Sequence, residues 1–89
     1  MRKFTEVSDE KYKDRPKSRF VNFFRKEAGF YQHELEDKMF ITHPNFANKM
    51  NRDCWTTEEL AKAAELAGYK LAFIHEKTKT ILYFDEELL

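Results

Sequence analysis

The sequence predicts a mainly α fold of four helices followed by a C-terminal β-hairpin, and three observations carry that prediction. Apolar residues recur at helical spacing in four successive stretches. Breaks marked by Pro, Gly or Thr separate these stretches. After Gly68 the pattern changes to two runs of β-branched and aromatic residues, 69–75 and 80–84, around the polar Glu76-Lys77-Thr78-Lys79.

Residues 1–17 are polar and irregular, broken by Arg15-Pro16, and are expected to form a flexible basic N-terminal arm. Ser18 then reads as the N-cap of the first helix, whose stripe is Phe20, Phe23 and Phe24 with Glu27 at its rim, and Gly29 sits at its left-handed end. A second helix is expected at 31–39, where Leu35 and Met39 share a face. The break at Phe40-Ile41-Thr42-His43-Pro44 separates it from the third. Pro44 lacks an N–H and fits a first helical turn, which makes Thr42 the N-cap of a helix over 43–51 with Phe46 and Met50 on its inner side. The fourth helix, 56–67, carries Leu60, Ala63, Ala64 and Ala67 on one face. Thr56 or Thr57 caps it, Glu58 and Glu59 suit its positive N-terminal end, and Gly68 stops it. Residues 18–68 therefore form the helical domain and 69–89 the hairpin.

The chain has 89 residues, enough for one domain with a core, and at this size pairing with a second copy adds useful stability. Nine Phe and a 16% aromatic share require a packed body. An isolated ribbon is marginally stable, and the nearly continuous apolar runs of 69–84 leave a face over. That face either makes a homodimer contact or folds onto the chain's own helices.

Sixteen basic residues balance sixteen acidic ones, so no overall basic field marks a nucleic-acid binder. The distribution is uneven. Within residues 1–19 seven basic residues face four acidic ones, and such an end either follows a phosphate backbone or forms a solvated tail. Cys54 stands alone and fits a reducing cytoplasm, and no apolar run of about 20 residues offers a membrane span. No membrane partner is expected.

Chemistry is poorly provided for. His33, His43 and His75 match no metal spacing, and one Cys completes no zinc site. Glu34, Glu36 and Asp37 point different ways around their helix, which makes a solvated face a better account than a catalytic pair. With two glycines, both at helix ends, there is no phosphate loop, and no nucleophile elbow is present. Neither catalysis nor a cofactor is expected.

Two helices joined by so short a turn cross steeply, leaving the second free to project a face. That face carries His43, Asn45, Asn48, Lys49 and Arg52. Asn45 and Asn48 have amides that match the adenine edge, while Lys49 and Arg52 suit phosphate or guanine, although polar residues also line any exposed helix.

The chain here resembles the helix-turn-helix family of phage Cro proteins and phage-type repressors. Gln32, Leu35, Met39, the Ile41-Thr42 turn, Phe46 and Asn51-Arg52 carry the resemblance, together with Trp55 to Leu60 and the Ala67 to Leu71 exit, and it spans about two thirds of the sequence. It implies a homodimeric regulator that reads double-stranded DNA with the 43–51 helix. Gln32, Thr42, His43, Asn45, Asn48, Lys49 and Arg52 are then the DNA contacts. A C-terminal strand element at the subunit contact is also implied.

Two positions depart from the family pattern. Glu36 stands where a small residue is usual, and a carboxylate near a helix crossing must reach solvent or a cation. Phe40 stands where Gly is usual, so the turn is either strained or reshaped. With the zero net charge, these motivate a second expectation: a protein-binding module on the same scaffold, such as a phage inhibitor of a host defence system or an antitoxin, with a host or phage protein as partner.

Overall fold

The computed structural model describes residues 10–84. The chain is mainly helical, with four helices followed by a two-stranded antiparallel hairpin: α1 (Pro16–Ala28), α2 (Gln32–Lys38), α3 (His43–Arg52), α4 (Thr57–Leu66), β1 (Ala72–Ile74) and β2 (Ile81–Tyr83). No helix among the described residues is long and apolar enough to cross a membrane.

From Glu10 to Ser18 the structure differs from expectation. Of the flexible arm proposed for residues 1–17, residues 1–9 lie outside the described region, while Glu10–Tyr12 forms a 3-10 turn whose Tyr12 is buried in the core. Helix α1 begins at Pro16, not beyond Ser18, because proline's fixed φ suits a first turn and its missing N–H costs nothing there. Ser18 is therefore no N-cap. It lies inside α1, fully buried, and its backbone N–H donates to the Asp53 carboxylate at 2.7 Å.

The buried stripe of α1 is also shifted from the phenylalanines. Ser18, Val21 and Asn22 face inward, while Phe20 is exposed and Phe23 and Phe24 are half-buried. Small side chains let α1 approach α4, which answers with Ala63 and Ala64, both buried. The displaced rings form a flanking cluster in which Phe23 and Phe24 pack on Tyr69, with Phe24 5.3 Å from it between ring centroids. The core proper is Tyr12, Val21, Leu35, Phe46, Met50, Trp55 and Ala63. Phe46 meets Trp55 edge-on at 5.3 Å.

Three helix exits share one bonding pattern, in which two successive N–H groups reach back to free carbonyls of the last turn. Gly29 and Phe30 bond Lys26 and Arg25, Phe40 and Ile41 bond Asp37 and Glu36, and Gly68 and Tyr69 bond Glu65 and Ala64. The pivotal residue is left-handed each time, with φ of 77°, 56° and 85°. Only the middle one, Phe40, carries a side chain.

Thr56 caps α4 as expected: its hydroxyl accepts from Glu59 N–H, and its own N–H donates back to the Glu59 carboxylate. Thr42 occupies the N-cap position of α3, its carbonyl accepting from Phe46 N–H, but its side chain makes no capping bond. The hairpin pairs Ala72 with Tyr83, Phe73 with Leu82, and Ile74 with Ile81. Its paired strands are three residues long, shorter than the runs expected over 69–75 and 80–84. Residues 85–89, assigned to the hairpin domain from sequence, lie outside the described region.

Candidate nucleic-acid interface

Helix α3 has two contrasting sides. Phe46 and Met50, one turn apart, are buried, and Asp53 follows in a left-handed conformation that ends the helix. The opposite side presents Asn45, Asn48 and Arg52, all exposed, at the three- and four-residue spacing that aligns side chains along a helix. Pro44 and Asn51 are exposed beside them, and sequence reasoning did not assign Asn51 to this surface.

Two further expected contacts, Gln32 and His43, are drawn together by the residue that departs from the expected pattern. Glu36 is 6% exposed, and one of its carboxylate oxygens, Oε2, accepts from Gln32 Nε2 at 2.9 Å and from His43 Nδ1 at 2.8 Å. The carboxylate thus reaches neither bulk solvent nor a permanent cation. It is satisfied by an amide from its own helix and an imidazole from the first turn of α3. Burial alone would raise the Glu36 pKa, but the hydrogen bonds from Gln32 and His43 and the nearby His43 and His33 rings outweigh it, leaving Glu36 below its ordinary value. The Gln32–Glu36 pair is legible as an i, i+4 spacing, whereas the bond to His43 depends on how the turn brings α3 back against α2.

Lys49 is not presented with the asparagines. Its ammonium lies 3.0 and 3.1 Å from the two Glu59 oxygens and 6.0 Å from the centre of the Trp55 ring, so it ties α3 to α4. Burial pushes the Glu59 pKa up, but the Thr56 N–H and the Lys49 ammonium more than offset this and hold it below its usual value. Lys49, expected as a phosphate contact, therefore has its charge engaged by Glu59 in this structure.

The start of α1 meets the C-terminal end of α3. Ser18 is bonded to Asp53, so their chain neighbours Lys17 and Arg52, both exposed, lie at the same end of the molecule. Phe40, in the turn before α3, is 93% exposed, and Tyr31, at the start of α2, is 71% exposed. Comparison of the chain with protein-family models, with curated proteins and with solved structures finds no match.

Proposed function

We propose that this chain is a sequence-specific DNA-binding transcriptional regulator of phage or mobile-element type, a homodimer that lays α3 in the major groove. The two-sidedness of α3 carries this reading: an apolar side anchored by Phe46 and Met50 supports an outer row of Asn45, Asn48 and Arg52. Asparagine bonds adenine through two atoms at once, and arginine does the same with guanine or grips phosphate. Lys17 and its basic neighbours supply phosphate contacts at one end. The hairpin supports self-association, since the paired Phe73 and Leu82 are 71% and 65% exposed and a two-stranded ribbon gains from a cover.

A second reading rests on the exposed rings of Phe40 and Tyr31. A protein-binding module on this scaffold uses such rings as anchors for a partner, and the net charge of zero suits it.

Selection of duplexes from a random pool at low and moderate salt separates the two. The regulator enriches a palindrome with half-sites about one helical turn apart, and its affinity falls steeply with salt. A folded protein that enriches nothing overturns the DNA reading and favours the protein partner.

A further inference from the structure

We infer that Glu36 locks the tautomer of neutral His43, so that the neutral ring offers an outward hydrogen-bond acceptor, Nε2, whose ligand is an exocyclic amino group of a base: adenine N6 or cytosine N4. The lock stands on the protein alone. The identity of the ligand rests on the DNA-reading proposal.

An ionised carboxylate has no hydrogen to give, so a 2.8 Å contact between Glu36 Oε2 and His43 Nδ1 requires the hydrogen to be on Nδ1. Gln32 Nε2 approaches the same oxygen at 2.9 Å, and an amide nitrogen only donates. Both contacts therefore converge on a charged acceptor. The Glu36 side chain is 8% exposed, which keeps water from competing for that oxygen, whereas the His43 side chain is 72% exposed. In a neutral ring with its hydrogen on Nδ1, Nε2 on the far side keeps a lone pair. An unconstrained histidine favours the opposite form, with the hydrogen on Nε2 and a donor facing outward. The buried carboxylate thus reverses what the first residue of α3 asks of a ligand.

Among base edges in the major groove, only adenine N6 and cytosine N4 donate. A histidine acceptor selects for them and against guanine and thymine at its position. Glu36 is in this account a positioning residue, acting through His43 rather than on the nucleic acid.

The test begins with nitrogen NMR of the isolated full chain at about pH 8.5, well above the ordinary imidazole range. The lock predicts a protonated Nδ1 and a bare Nε2 for His43, and Glu36→Gln, whose amide both donates and accepts, returns the ring toward the Nε2–H form. Nε2–H in the wild-type spectrum overturns the lock, whether or not the variant folds. Binding to a selected duplex is the second arm: His43→Ala lowers affinity about fivefold or more and removes an adenine or cytosine preference at one position. Equal loss on every sequence overturns the base-reading role while the lock stands. A folded chain that enriches no duplex overturns the nucleic-acid ligand altogether, again leaving the spectroscopic result intact.

Discussion

The Ser18 hydroxyl accepts the Trp55 indole N–H at 3.1 Å while donating to the Met50 carbonyl at 2.9 Å, so one buried oxygen joins α1, α3 and the loop before α4. A buried donor left without an acceptor costs about 1–3 kcal/mol. Ser18→Ala is therefore expected to destabilise the fold by about that amount, measured by urea unfolding. Trp55→Phe removes the orphaned donor along with its ring contacts, so the two substitutions should combine with less than the sum of their separate costs. Strict additivity would show that the bond contributes nothing.

Acid should weaken the fold through Glu36. Its pKa is held below the ordinary 4.5, so its stabilising contribution is present above about pH 4.5 and is lost as pH falls through the lowered value. Unfolding midpoints between about pH 3 and pH 7 are expected to drop on the acid side, and Glu36→Gln should flatten that drop. Parallel curves for the two proteins would remove Glu36 from the acid response.

Phe40 combines a left-handed backbone, φ 56°, with a side chain that is 93% exposed. A non-glycine residue in that region costs about 1–2 kcal/mol, and glycine returns part of this through the entropy of its unfolded chain. Phe40→Gly is expected to stabilise the fold by about 0.5–1 kcal/mol by thermal or urea unfolding. Under the DNA reading it leaves duplex affinity intact. Loss of binding to a protein partner with DNA affinity preserved would assign the ring to that partner.

Lys49→Ala separates structural from contact lysines. Both members of its pair with Glu59 are about three-quarters buried, so removal should cost about 0.5–1 kcal/mol of stability. The salt dependence of DNA binding should hardly change, whereas Arg52→Ala should reduce it by about one phosphate contact. A lower salt slope for Lys49→Ala would mean that the lysine leaves Glu59 on binding.

The sequence made the architecture readable where periodicity and end signals agree. Pro44 and Thr42 marked the start of α3, Thr56 and Glu59 that of α4, and Gly29 and Gly68 the ends of α1 and α4. Ser18 misled because a serine close after a proline looks like a cap, and its burial depends on residues more than thirty positions away. The phenylalanines of α1 outweighed Val21 as an apolar signal, yet close approach to Ala63 and Ala64 favours the smaller side. On α3 the outward placement of Asn45, Asn48 and Arg52 follows from spacing alone. The engagement of Lys49 and His43 does not, because both partners, Glu59 and Glu36, lie on other helices.

The most direct test of α3 as a base-reading helix is the affinity of Asn45→Ala for a selected duplex and for copies altered one base pair at a time. The account predicts a loss of about 1–3 kcal/mol on the selected sequence and no remaining preference at one position, where the wild type discriminates. The same loss on every duplex, with each preference retained, would contradict it.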